Sequence, residues 1–123
     1  MNVVLWILQA VLALAFAMAG FMKLTQPKDE LVSRLPWVED FSPTTVKLIG
    51  TAELAAAIGL ILPAATGIAP VLTPLAATGL AMLMVLAAMT HARRKEPGAI
   101  AVNAALLILA AVVAWGRFGP YPS

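Results

Sequence analysis

Residues 46–62 read VKLIGTAELAAAIGLIL. The run is apolar and long enough to cross a bilayer, and a glutamate, Glu53, lies in its middle. A carboxylate at membrane depth costs about 2.5–3.5 kcal/mol on insertion scales. It persists there when it is protonated, paired or facing water, which makes Glu53 a candidate functional centre. The plainer reading is a polar residue that hydrogen-bonds between helices.

Three further apolar stretches surround this one. Residues 3–24, 43–62, 70–91 and 97–115 are each about 20 residues long, the length of a membrane-spanning helix. Ser42 is a natural N-cap for the second and Pro43 suits its first turn. Pro63 is expected to end the second helix, Pro97 to open the fourth and Gly116 to close it. Pro74 permits a bend near the start of the third. Ala15-Phe16-Ala17 resembles a signal-peptidase site, but no basic residue precedes the first run and the run is long for a signal.

Composition agrees. The 123 residues are 62% hydrophobic and 11% charged, against about 25% charged in a soluble domain. The expected architecture is all-α, a polytopic membrane four-helix bundle forming one domain over residues 1–123. No cysteine is present, which excludes disulfides, CxxC chemistry and thiolate metal sites. The spacing of Asp29, Glu30, Glu39 and Asp40 matches no metal-ligand pattern and fits a solvated charge run. One histidine supports neither haem nor an iron–sulfur centre within one chain. No metal is expected, and the cofactor is unknown. The net charge of +2 does not indicate nucleic acid, because the basic residues sit at helix ends.

Seven of the eight lysines and arginines, Lys23, Lys28, Arg34, Lys47, Arg93, Arg94 and Lys95, belong to the first and third loops or their edges; only Arg117 lies at the opposite end. By the positive-inside rule those loops are cytoplasmic and both termini outside, in the cell membrane. Trp6, Trp115 and Tyr121 form an outer aromatic belt and Trp37 marks the inner interface. Residues 25–42 form the long loop, where Leu31 and Leu35 suggest a short interfacial helix broken at Pro36. A surface linker with a few apolar anchors is the simpler alternative.

Depth brings the polar residues together. Glu53 and Asn103 each lie six residues, about 9 Å, beyond an inner-surface marker, Lys47 and Pro97. Lys23 and His91 end their helices on the same side. Gly20 and Gly50 precede Lys23 and Glu53 by one turn and permit close approach of a helix or a ligand. Asn103, Leu107, Ala110, Ala114 and Arg117 share one stripe, with Gln9 near the level of Arg117. Each has a plainer reading: Lys23 snorkels, His91 and Arg117 mark interfaces, and Asn103 bridges helices. Small pairs such as Ala13/Ala17, Ala55/Gly59, Ala77/Ala81 and Ala101/Ala105 are packing devices.

The segments Ala19-Gly20-Phe21-Met22-Lys23-Leu24, Ile49-Gly50-Thr51-Ala52-Glu53-Leu54, His91-Ala92-Arg93-Arg94-Lys95-Glu96 and Asn103, followed by Gly116-Arg117-Phe118, resemble the DoxX-like family. The resemblance implies a four-helix membrane bundle and an association with membrane oxidoreductase systems, some using thiosulfate or quinones. The matched positions are Gly20, Lys23, Gly50, Glu53, His91, Asn103 and Arg117. The leading expectation is a subunit that binds or transforms a small lipophilic molecule, with Glu53 as acid/base or hydrogen-bonding group. Lys23 and Asn103 would tune Glu53, and Arg117 would anchor an anionic group from outside. The alternatives are a proton-coupled small-molecule transporter and a structural interaction protein. Expected partners are the lipid bilayer, a lipophilic small molecule, and a second copy or membrane-associated proteins.

Overall fold

The computed structural model describes residues 1–122. It is 85% helical, with no strand among the described residues. The elements are α1 (Asn2–Thr25), α2 (Lys28–Arg34), a 3₁₀ turn (Pro36–Asp40), α3 (Pro43–Thr66), α4 (Leu72–Arg93) and α5 (Pro97–Phe118). The four long helices have 24, 24, 22 and 22 residues and are each apolar enough to span a membrane. At 1.5 Å per residue they reach about 33–36 Å, enough for a hydrocarbon core of about 30 Å. Loop 25–42 is therefore helical in two short pieces.

Each long helix buries a narrow stripe. On α1 it is Leu5, Gln9, Leu12, Phe16, Gly20 and Lys23; on α3 it is Val46, Gly50, Glu53, Ala57, Leu60 and Pro63. This three–four spacing is the seam of an antiparallel bundle. The stripes meet in a core of Leu12, Phe16, Ala57, Leu60, Ala77, Leu80, Met84, Ala110 and Val113. Leu14, Met18, Phe21, Leu48, Met82 and Ile108 point outward, as bilayer-facing residues do. α1 packs on α3, α3 on α4 and α4 on α5, and the slightest neighbour contact, α1 with α5, closes the ring. The short elements, the α4–α5 turn and Lys23 lie at one end of the bundle, the loop end. The start of α1, the end of α5 and the α3–α4 turn lie at the terminal end.

Three expected boundaries move. α3 begins as read, with Ser42 Oγ accepting from Thr45 N at 3.1 Å, but it continues through Pro63 to Thr66. Proline lacks the N–H that would bond the Gly59 carbonyl. The Thr73 hydroxyl of α4 donates to that carbonyl instead, at 2.9 Å. α3 then stops at Gly67, whose φ of 72° is left-handed. Gly116 does not end α5, because it is a packing residue. A Cβ there would lie 2.6 Å from Leu5 Cδ1. α4 starts at Leu72, two residues later than expected, after a turn through Ala69 at φ 47°. Pro74 thus falls in the first turn, where no hydrogen bond is lost and no bend is needed.

The small pairs divide. Ala13, Ala17, Ala77 and Ala81 pack on the core, whereas Ala55, Ala101 and Ala105 are exposed on the outer surface.

Candidate functional site

A close backbone approach of α1 and α3 positions the central pair. A Cβ on Gly20 would meet the Gly50 carbonyl oxygen at 2.6 Å and Leu54 N at 2.9 Å; a Cβ on Gly50 would meet Lys23 Cβ at 2.8 Å and the Gly20 carbonyl at 2.9 Å. Backbone touches backbone here, so only glycine fits. Because the helices run antiparallel, Lys23 lies beside Gly50 and Glu53–Leu54 beside Gly20, and the Lys23 and Glu53 side chains meet across this crossing. Lys23 Nζ donates to Glu53 Oε1 at 2.6 Å. Lys23 is 5% exposed and Glu53 4%. Lys23 therefore does not snorkel. It supplies the partner that a buried carboxylate requires.

The pair borders a cavity of about 740 Å³ at the loop end. Phe16 and Ala19 of α1, Met84 and His91 of α4, and Asn103 and Leu106 of α5 line its walls. Leu35, Pro36, Trp37 and Phe41 from the loop form its roof. The Trp37 ring centroid lies 5.5 Å from Lys23 Nζ, a cation–π distance. Trp37 and Phe41 meet edge to face at 5.6 Å. Beneath the roof a separate small core of Leu31, Val38 and Val46 anchors the loop to α3. The two ends of the α1–α5 seam differ. At the terminal end α1 and α5 interlock through Leu5 and Gly116, whereas at the loop end their facing residues border the cavity.

A polar strap ties the roof to the α4–α5 turn. Arg94 donates to Asp40 Oδ2 at 3.0 Å, to Glu39 Oε1 at 3.3 Å and to Glu96 Oε2 at 3.4 Å. Asp40 in particular holds the Arg94 guanidinium above its ordinary pKa. His91 Nδ1 and Glu96 Oε1 share a hydrogen bond of 2.8 Å. That bond, and then the one from Arg94, holds the Glu96 carboxyl below the usual carboxylate range. The turn geometry explains how Glu96 returns to His91. Glu96 N bonds the His91 carbonyl and Lys95 N the Ala92 carbonyl, with Lys95 at φ 56°. This is a Schellman cap with lysine where glycine is usual.

Lys23, Glu53, His91 and Asn103 thus border one cavity, as their depths predict. Their bonding differs from expectation. His91 pairs with Glu96, and Asn103 Nδ2 donates to Met84 Sδ at 3.5 Å, not to Glu53. Gly20 and Gly50 serve the helix crossing. Arg117 is remote, at the terminal end. Its Nε donates to Gln9 Oε1 at 2.8 Å and its Nη1 to Asn2 Oδ1 and to the Tyr121 carbonyl. Gln9 Nε2 in turn donates to the Leu60 carbonyl at 2.6 Å. Sequence reading missed the roof function of Trp37 and the strap through Arg94 and Glu96. The available signal was the acid five residues after His91, within reach only once the helix cap reverses the chain.

A model of the DoxX-like family matches residues 7–113. The chain belongs to the DoxX-like family. It is a multi-pass membrane protein with four apolar helices. The match takes in every cavity residue of this DoxX-like protein named above and stops short of Arg117. No curated protein and no solved structure matches the chain.

Proposed function

We propose that this DoxX-like protein binds a small lipophilic molecule with a hydrogen-bonding head, of quinone type, as a component of a membrane oxidoreductase system. The observation that carries the reading is the buried Lys23–Glu53 pair at the edge of a cavity of about 740 Å³. That volume is in the range of small-molecule sites, which are mostly apolar with a few convergent polar groups. An apolar tail would leave between α1 and α5 toward lipid. The head would lie under Trp37, where Lys23 donates to a carbonyl oxygen and Glu53 accepts or returns a proton. Asn103 and His91 flank the head from α5 and α4. Gly20 and Gly50 act indirectly, by setting the distance between Lys23 and Glu53. Electrons would come from a membrane-associated partner, since the chain has no thiol.

In this reading the cavity faces the cytoplasm, following the basic residues of the loop end, and the protein resides in the cell membrane. A second copy would pack on the outer small residues Ala101 and Ala105, because Ala13 and Ala17 are engaged within the bundle.

The test is titration of the purified protein in detergent with decylubiquinone, followed by tryptophan quenching and native mass spectrometry. Saturable quenching is expected, lost in Trp37→Phe and in the paired change Lys23→Met with Glu53→Leu. Equal binding by the paired variant, or no binding by wild type, refutes the proposal.

A further inference from the structure

Arg117 is 3% exposed at the terminal end. Its hydrogen-bond acceptors are the Gln9 and Asn2 amide oxygens and the Tyr121 carbonyl, all neutral. Its Nη2 is buried with no partner among the described residues. The acidic side chains of the chain are Asp29, Glu30, Glu39, Asp40, Glu53 and Glu96. The first four lie in loop 25–42, Glu96 lies in the α4–α5 turn and Glu53 pairs with Lys23. Every carboxylate side chain therefore belongs to the loop end, and none reaches Arg117.

A buried cation is normally matched by an anion, because desolvation is otherwise uncompensated. Two features offset part of the charge here. The Trp6 ring centroid lies 5.6 Å from the guanidinium carbon, and Arg117 occupies the last turn of α5, where the helix dipole favours a cation. Neither fills the free Nη2 donors. A guanidinium presents a planar fork that two oxygens of a phosphate or carboxylate match. Nη2 directs one empty N–H toward Nη1, which itself donates to Asn2 Oδ1 and to the Tyr121 carbonyl, and the other toward the Nε side. Asn2 and Tyr121, the two residues that accept from Nη1, are both exposed, so an anion reaching the guanidinium from the terminal surface would displace the Asn2 side chain.

The geometry points to an anion site at Arg117. It takes a phosphate or carboxylate oxygen pair on the Nη1–Nη2 edge, supplied by a lipid head group at the terminal surface or by a free anion. The site is separate from the Glu53 cavity and stands or falls independently of the quinone reading.

The protein is placed in phosphatidylcholine nanodiscs with and without phosphatidylglycerol, and thermal unfolding is measured. A parallel series in pure phosphatidylcholine receives inorganic phosphate. A bound anion stabilises the folded state by mass action, so the wild-type midpoint should rise by about 3–6 °C. A rise with phosphatidylglycerol alone assigns the lipid head group as the source; a rise with inorganic phosphate assigns a free anion. Anionic lipid also meets the basic loops, so two variants isolate Arg117. Arg117→Gln should lose the response. Asn2→Asp puts a carboxylate where Nη1 already bonds and leaves Arg117 in place. It should raise the midpoint in pure phosphatidylcholine by a similar amount and abolish the added-anion response. The proposal fails if wild type responds to neither anion, if Arg117→Gln responds as wild type does, or if Asn2→Asp keeps the full response. Should Arg117→Gln not fold, Asn2→Asp alone decides.

Discussion

Removing one member of the Lys23–Glu53 pair should cost far more than removing both. At 2.6 Å and an effective dielectric of about 20, the gross attraction is about 6 kcal/mol. Taking each ion out of water costs several kcal/mol, so the net contribution of the pair is small. Lys23→Met leaves a carboxylate buried at 4% exposure with no donor, a loss of about 3–5 kcal/mol. Glu53→Gln keeps an acceptor for Lys23 but leaves its charge unmatched, so it falls at the low end of that range. Lys23→Met combined with Glu53→Leu removes both charges into an apolar seam and should restore stability to within about 1 kcal/mol of wild type. The assay is reversible unfolding of wild type, the single variants and the double variant by denaturing detergent in mixed micelles, which yields the coupling energy. A value of about 3 kcal/mol or more is expected. Ordinary interhelical hydrogen bonds in membranes average about 0.6 and reach about 1.7 kcal/mol. A coupling below that ceiling would refute the description of a desolvated ion pair. The double variant also separates fold from function, since it should remain folded and lose the quinone-type ligand.

Gly20→Ala drives a methyl to 2.6 Å from the Gly50 carbonyl oxygen and 2.9 Å from Leu54 N; it should destabilise by about 1–3 kcal/mol and weaken ligand binding by parting Lys23 from Glu53, as titration with decylubiquinone would show. Thr73→Val removes the donor to the Gly59 carbonyl and should cost about 1–2 kcal/mol in the same unfolding assay; a neutral result would mean that α3 passes Pro63 without that help. Glu96 has a folded pKa below its ordinary value of 4.5, so its bonds to His91 and Arg94 stabilise the folded state above that value and are lost as pH falls through the lowered one. Thermal midpoints of wild type and Glu96→Gln should therefore differ at neutral pH and converge in acid; a constant gap would exclude the carboxylate as the cause.

Much of the architecture follows from elementary constraints. Four apolar segments of bilayer length leave a helical bundle as the economical solution, since backbone polar groups must be satisfied within the membrane. Depth counting placed Lys23, Glu53, His91 and Asn103 at one end, because a helix converts sequence distance to height at a fixed rise. Azimuth was less legible. A stripe shows which residues face inward but not which neighbour they meet, so Asn103 met Met84 and His91 met Glu96. The expected stop at Pro63 failed for a related reason. Whether proline ends a helix depends on a donor for the carbonyl it frees, and that donor is Thr73, on the following helix. Loop 25–42 was the least legible part. Its shape depends on Leu31, Val38 and Val46 packing together, and on Arg94, more than fifty residues away in the chain.

The two ends of the bundle present opposite solutions to one physical problem. A charged side chain buried among apolar helices needs an opposite charge, and at the loop end the chain supplies it, with Lys23 facing Glu53 at 2.6 Å. That pair is compensated before any ligand arrives, so a ligand entering the cavity meets a donor and an acceptor but little net charge. Such a site suits a neutral molecule with polar oxygens better than an ion. At the terminal end the described residues supply only amide and carbonyl oxygens to Arg117. Arg117 Nη2 is without a partner among the described residues, and an anion suits it better than a neutral molecule. The same distinction separates the two sets of experiments. Neutral quinone-type ligands should respond to the Lys23–Glu53 changes and be indifferent to Asn2→Asp. Anionic lipid or phosphate should show the reverse dependence. A ligand that responded equally to both would mean that the ends are energetically coupled, and the only continuous polar link between them on α1 would have to run along the stripe from Gln9 through Leu12, Phe16 and Gly20 to Lys23. All three intervening residues are apolar or bear no side chain, so the described residues provide no such link and independence is the expected result.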